Sequence, residues 1–452
     1  MKKNILYIFI LLFTFSSCDF LELESPDGVL EESVLSSAAG IRSARIGMYA
    51  ALAEKDYYGG FFPLAVEAHS DNGANGGYDV EAYNQLGTLK AVTSGNIVIE
   101  KMWLSMYNPI NVANKILANV DKVSMDKDEA ANIKGEALFV RALCHFDALR
   151  TWGEHWDSTS TYGIPVVTEP LSFDRIVARS TVKNTYTAII NDLTTATELV
   201  SDEGKGKTFV TSTAVTALLA RAYLYQGNMA SASATATGLI DSIGNVFFDK
   251  VDYGKIFTTK ESNESVFELG FTPQSRSAYN QLSYARPNAI RSEVTFFMSE
   301  DMDKFFKTRT DDVRAATIDF KNNDVTIAPD GRSEKYRGEQ TRDNPAYILR
   351  VAEMYLIAAE AGGKAKGLTY LNQLRTARGM KALAASTSDI VFAQMLADER
   401  RSELNNEGHR YFDLARTGKV QDVMGQDVKP NFPIPLREIT ASSGAVLQNK
   451  GY

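Results

Sequence analysis

The sequence predicts a mainly α protein: helical hairpins joined into a single right-handed superhelical scaffold, with long irregular loops and a few short β-strands. Two observations predict it. Several segments carry apolar residues at helical spacing and meet in pairs around glycine, and the stretches between them are glycine-rich, aromatic and without period. A hydrophobic content of 44% against 23% charged residues supplies a core of ordinary size.

The N-terminus reads as an address and an anchor. Lys2 and Lys3 precede an apolar run over 5–15, which ends at Ser16-Ser17-Cys18. A basic start, a short apolar stretch and small residues at its end mark a secretory signal over 1–17. The run is too short to span a bilayer core, which needs roughly 20 apolar residues. Small side chains admit a peptidase, and the Cys18 thiol can take a lipid before becoming the new N-terminus. The segment resembles a bacterial lipobox, with Phe15 where Leu is usual. An ordinary signal peptide that happens to contain a cysteine is the alternative. Asp19, Glu22 and Glu24 make 18–30 an acidic tether, and Pro26 discourages helix there. In the lipoproteins this segment resembles, such acids mark export to the outer face; otherwise they only keep a linker soluble. Residues 31–452 form one domain, with an N-terminal part to about 240 and a C-terminal part from about 241.

The net charge is 48 minus 56, or -8, and removal of Lys2 and Lys3 makes it -10. That balance argues against nucleic acid, which demands clustered Lys and Arg. Cys144 lies in an apolar helical stretch. With Cys18 acylated it has no disulfide partner, and a buried, inert thiol is its expected role.

The clearest hairpin lies over 219–236. Ala220, Tyr223, Gly227, Met229, Ala232 and Ala236 fall in the tetratricopeptide register, with small residues where two helices cross and glycine ending the first. Helical spacing also runs over 129–150, 185–200, 344–361, 368–377 and 389–405, with Gly362-Gly363 as a turn. Stacked pairs of this kind bury a core that one hairpin cannot. Residues 57–89, 152–179, 247–288 and 320–344 are the irregular stretches, and loops of this length commonly carry function.

A set of ordered motifs then becomes specific. Gly135-Glu136-Ala137 leads through Arg141-Ala142 and Cys144-His145-Phe146 to Trp152-Gly153 and Tyr162-Gly163-Ile164-Pro165. Leu349-Arg350-Val351-Ala352-Glu353-Met354-Tyr355 follows, with Ala359-Glu360-Ala361 and Leu371-Asn372-Gln373-Leu374-Arg375-Thr376-Ala377-Arg378-Gly379. Glu399-Arg400-Arg401-Ser402-Glu403 runs through Glu407-Gly408-His409-Arg410-Tyr411-Phe412-Asp413 to Arg416, and Leu447-Gln448-Asn449-Lys450-Gly451-Tyr452 closes the chain. Behind a lipobox, this series resembles the SusD/RagB family of Bacteroidetes surface lipoproteins. The likeness runs from Cys18 to the last residue. Lys450 departs from the family's usual proline, and the stretch between Ala361 and Leu371 is short.

The resemblance implies a binding protein rather than an enzyme, held at the outer membrane by its lipid and facing the cell exterior. Its partner would be a SusC-type TonB-dependent transporter, and its ligand an oligosaccharide or, in some members, a peptide. The resemblance implies no cofactor. A surface glycoside hydrolase, with two carboxylates roughly 5 to 9.5 Å apart, is the rival from another class.

The residues themselves offer little to a catalyst. Arg400, Arg401, Glu403, Glu407, Arg410 and Asp413 read as a partly buried ion-pair network. His69, His145, His155 and His409 have no metal-ligand spacing, and Glu154-His155-Trp156-Asp157 lacks a second cluster. Sugar recognition wants aromatic faces flanked by amides and charges. Two loop regions offer them: 69–78 with Asp71, Asn72 and Tyr78, followed by Tyr83; and 276–288 with Tyr279, Tyr284, Arg286 and Asn288. Each tyrosine could equally be a ring packed on the scaffold. Trp103 opens a helical pattern and is expected in the core.

Overall fold

The computed structural model describes residues 34–75, 80–87, 92–172, 175–247, 250–283, 296–320, 331–338 and 341–452. Its frame is a row of helices: α1 (Ala38–Leu52), α3 (Ile97–Asn119), α4 (Lys127–Trp152), α5 (Val182–Leu199), α6 (Ser212–Gln226), α7 (Met229–Ile243), α8 (Val351–Ala361) and α9 (Gly363–Ala377). Each packs on the next, α1 on α3 and so on to α8 on α9. The row continues from α7 to α8 although 244–350 intervenes. Helix α2 (Phe61–Ala68) and two C-terminal helices, α10 (Asp389–Glu403) and α11 (Arg410–Arg416), lie against this frame.

Local chemistry sets the helix ends. Asp126 caps α4 by accepting from the amides of Asp128 and Glu129 at 3.0 and 2.9 Å. Thr181, Thr211 and Ser388 cap α5, α6 and α10 in the same way. Between α6 and α7, Gly227 adopts φ +82°, the left-handed cap the turn requires. Ala232 and Ala236 are fully buried where the pair closes. At α8–α9 the approach is tighter, since a Cβ on Gly367 would lie 2.0 Å from the Ala359 carbonyl oxygen. Trp103 and Cys144 are buried in one continuous core, and among the described residues Cys144 has no disulfide partner.

Two stretches differ from the sequence expectation. Residues 344–361 are not one helix: Ala346–Arg350 is strand β6, and only then does α8 begin. The run Tyr347-Ile348-Leu349 is buried on both faces, so it carries no period that separates strand from helix. It pairs antiparallel with β2 (Ser265–Leu269). Residues 57–89 contain α2, whose eight residues are all buried. A helix covered on every side shows no amphipathic stripe, which is why this one reads as irregular. Four further short strands matter below: β1 (Gly73–Asn75), β3 (Phe296–Met298), β4 (Ile318–Asp319) and β5 (Arg332–Ser333), the last two pairing with each other.

A buried charge lattice on α10 and its exit turn ties the C-terminal part together. Glu403 accepts from Arg350 Nη1 at 2.8 Å and from Arg378 Nε at 3.0 Å, with Arg314 Nη1 at 3.4 Å. Glu407 takes Arg350 Nε at 2.9 Å and Lys335 Nζ at 2.6 Å. Glu399 takes Arg309 Nη2 at 2.6 Å and also binds Arg314 and Arg375. Burial alone would push the Glu403 carboxyl up. The guanidinium groups of Arg378, Arg350 and Arg314 instead hold it well below the usual carboxylate range. Its stabilising contribution is therefore present above the unfolded value of 4.5 and is lost as pH falls through the lower folded value. Glu403→Ala leaves three buried guanidinium groups short of their partner, and is expected to lower the unfolding free energy at pH 7 by about 3–5 kcal/mol, read by urea denaturation.

Candidate functional site

The fold pairs the first sequence-nominated loop region with a strand that lies beyond the second. Strand β1, in the first region, pairs antiparallel with β3, which follows the second, in the register Gly73 with Met298 and Asn75 with Phe296. The amide of Ser299 donates to the Asn72 carbonyl oxygen at 2.7 Å, and its hydroxyl donates to the Asp71 carbonyl oxygen at 2.6 Å. Met298 and Gly331 then join this ribbon to β4 and β5 through backbone hydrogen bonds of 2.7 Å. A shallow recess of about 430 Å³ opens beside the ribbon, with Ser70, Asp71, Gly73, Ser299 and Asp301 on its wall.

Several nominated residues turn out to be committed to the scaffold. Asp71 receives Arg410 as a fork, Nε at 2.7 Å and Nη2 at 2.9 Å, and Arg401 Nη2 at 3.1 Å. Burial raises its pKa, but the hydrogen bonds and charge of Arg410 more than reverse this, leaving it lowered. Asn72 is fully buried, donating to Glu67 Oε1 at 2.8 Å and accepting from Arg401 Nε at 2.7 Å. Tyr279 is 1% exposed and stacks on Tyr336, with ring centroids 4.3 Å apart. Asn72 and Tyr279 serve packing, and Asp71, though it lines the recess, is held there by the arginines. Polar residues beside glycine look like a presented loop; here they meet arginines from more than 300 positions away, and that pairing leaves no local signal.

Tyr83 is half-buried, stacked on Phe61 and edge-on to Phe296, each at 5.9 Å between centroids. It therefore sits where α2 meets β3. Tyr78, Tyr284, Arg286 and Asn288 lie outside the described residues, as does Cys18. The sequence reading missed Ser299 and Asp301 on the recess wall. Ser299 is a helix cap, accepting from the Met302 amide at 3.3 Å, and that pattern reads as structure. Arg401 bridges the recess: one Nη2 meets both Asp71 and Asp301, the latter at 2.8 Å. All four histidines are buried. His145 has its pKa lowered by burial to about 3, and its Nε2 accepts the Val167 amide at 3.1 Å. Among the described residues, no group of three or more His, Cys, Asp or Glu could hold a metal, and no helix is long and apolar enough to cross a membrane.

Beneath the recess, Glu67 joins the N-terminal loop to the C-terminal part. Its Oε2 accepts the Gly408 amide at 3.2 Å. Gly408 has φ +74°, and a Cβ there would lie 2.8 Å from Pro63 Cα, so the two segments meet backbone to backbone.

Two family models match the chain. One, described as starch-binding associating with outer membrane, covers residues 19–224; the other, the SusD family, covers 320–432. Together they span most of the sequence. The chain belongs to the SusD/RagB family. A SusD-like protein of Formosa agariphila is 23% identical, over 97% of this chain and 96% of its own length. The crystal structure of a putative sugar binding protein from Bacteroides vulgatus is 26% identical with a TM-score of 0.76, covering 92% of this chain and 98% of that one. A laminarin binding SusD-like protein superposes with a TM-score of 0.76 at 22% identity, covering 92% and 100%. This SusD/RagB member has the family's helical architecture with tetratricopeptide-like hairpins.

Burial pushes the Glu67 carboxyl up to about 7, partly offset by its hydrogen bonds from Asn72 and the backbone. A carboxyl raised above its unfolded value of 4.5 favours the folded state fully below that pH, and this contribution fades as pH rises through about 7. The stability of the native protein relative to Glu67→Gln is therefore expected to decline between those two pH values and to stay level outside them. Urea denaturation across a pH series measures the difference.

Proposed function

We propose that this protein is a lipid-anchored capture protein of the outer-membrane surface. It binds oligosaccharide at the face carrying the β1–β3 ribbon and passes it to a SusC-type TonB-dependent transporter. The observation that carries the reading is the near end-to-end match to SusD-like proteins, among them ones named for sugar or laminarin binding. The ribbon that holds the first aromatic loop region in place supports the location. A ligand site needs a rigid frame beneath adaptable contacts, and the fork from Arg410 to Asp71 supplies that rigidity. Tyr78, Tyr83, Tyr284, Arg286 and Asn288 are the proposed contacts. Aromatic faces would meet the C–H side of sugar rings, and the polar ends would meet hydroxyls.

Binding without chemistry is the better reading of this face. The two carboxylates on the recess wall, Asp71 and Asp301, both engage Arg401. A hydrolase needs one carboxyl protonated and the other free to attack or to activate water, and neither is free here: Asp71 is held by Arg410 and Arg401, and Asp301 by Arg401. The lipid on Cys18 keeps the capture face beside its transporter, so the second contact becomes intramolecular.

A panel of bacterial, plant and algal polysaccharides, screened by affinity electrophoresis and calorimetry, is expected to yield at least one ligand and no product release. Alanine at Tyr78, Tyr284 or Arg286 is expected to weaken that ligand tenfold or more; if none of these variants changes binding, the placement of the site is wrong. In cells, Cys18→Ala is expected to move the protein from the membrane fraction to the soluble fraction. Retention of the variant in the membrane would remove the lipid from the account.

A further inference from the structure

A larger concavity, of about 690 Å³, opens where the chain leaving α7 crosses α8 and α9. No residue of the loop face contributes to it. Phe247 and Tyr355 form its aromatic floor, their centroids 4.6 Å apart, with Tyr370 a further 6.2 Å from Tyr355. Phe247 is fixed by the Arg378 guanidinium, which lies 4.9 Å from its ring centre and is itself pinned by Glu264 and Glu403. A ring held over a buried cation cannot swing into solvent.

The walls are polar and available. Asn245, Lys250, Thr369 and Gln373 line the cleft and are all exposed. Among the described residues, the Lys250 ammonium, the Thr369 hydroxyl, the Gln373 amide and the Asn245 Nδ2 have no protein partner. Asn372, next to Gln373, is different: its amide donates to and accepts from the Leu383 backbone at 3.0 and 2.7 Å, so it shapes the wall and does not contact a ligand. Among the described residues, no carboxylate lines the cleft.

We propose that this cleft is a second oligosaccharide site, separate from the loop face. A fixed aromatic floor ringed by amides, a hydroxyl and one ammonium matches a polyhydroxylated ring with an apolar side. Its volume falls within the roughly 300–1,000 Å³ of ordinary ligand pockets, enough for a short segment of a polymer. The inference rests on the glycan-binding reading and adds a consequence to it. Two sites on one rigid frame grip one polysaccharide chain with an avidity up to about 10²–10⁴ above either alone.

The test uses the mature full chain with laminarihexaose, maltohexaose, xylohexaose and chitohexaose, and with the parent polymer of whichever hexasaccharide binds. Lys250→Ala combined with Gln373→Ala changes only exposed side chains and leaves the fold intact. Calorimetry is expected to give two equivalents of hexasaccharide for the native protein and one for the double variant. Affinity for the polymer is expected to fall at least tenfold in the variant, while the remaining hexasaccharide site keeps its affinity. One equivalent in both proteins, with unchanged polymer affinity, overturns the second site and leaves the capture function standing. No binding of any probe by the native protein overturns both.

Discussion

The structure depends on burying ionised carboxylates beside guanidinium groups. Glu399 and Glu403 stand one turn apart on α10, and Glu407 follows in its exit turn. Between them they engage cations from β6, from the segment before β4, from the end of α9 and from the turn after β5. Apart from α9, none of those elements is long enough to define its own position. Removing so many charges from water is costly unless every one is paired, and this requirement selects a single arrangement of the segments. The apolar helical row supplies bulk stability; the charges supply the register of everything draped on it.

The same helix serves two faces. Residues 399 and 403 point into the lattice, while Arg401, between them, reaches outward to Asp71, Asn72 and Asp301. Arg410, at the start of α11, completes the grip on Asp71. Helical spacing thus lets one short run hold the C-terminal part together and clamp an N-terminal loop at the same time. Glu67 and Gly408 add a closer contact beneath, where a side chain at position 408 would part the two segments.

The sequence made the frame legible because amphipathic helices and glycine caps are local signals. The hairpin around Gly227 and the helix from Lys127 to Trp152 stand nearly where their spacing placed them. Elements buried on all sides were not legible: α2 and β6 carry apolar residues without period, since both faces of each meet protein. The candidate site was legible only as a region. Asp71 and Asn72 have the composition of a ligand loop, yet their partners are arginines over 300 residues away, and Tyr279 lies beneath Tyr336. What distinguishes a sugar-facing tyrosine from a packing one is its neighbour in space. The cleft on α8 and α9 escaped notice for a related reason, because Phe247, Tyr355 and Gln373 belong to three separate segments.

The fork between Arg410 and Asp71 has one more consequence. The edge that carries β1 and the helices α10 and α11 are held by the same arginines, so a shift in either is felt at the other. A fault in the C-terminal part would therefore loosen that edge as well.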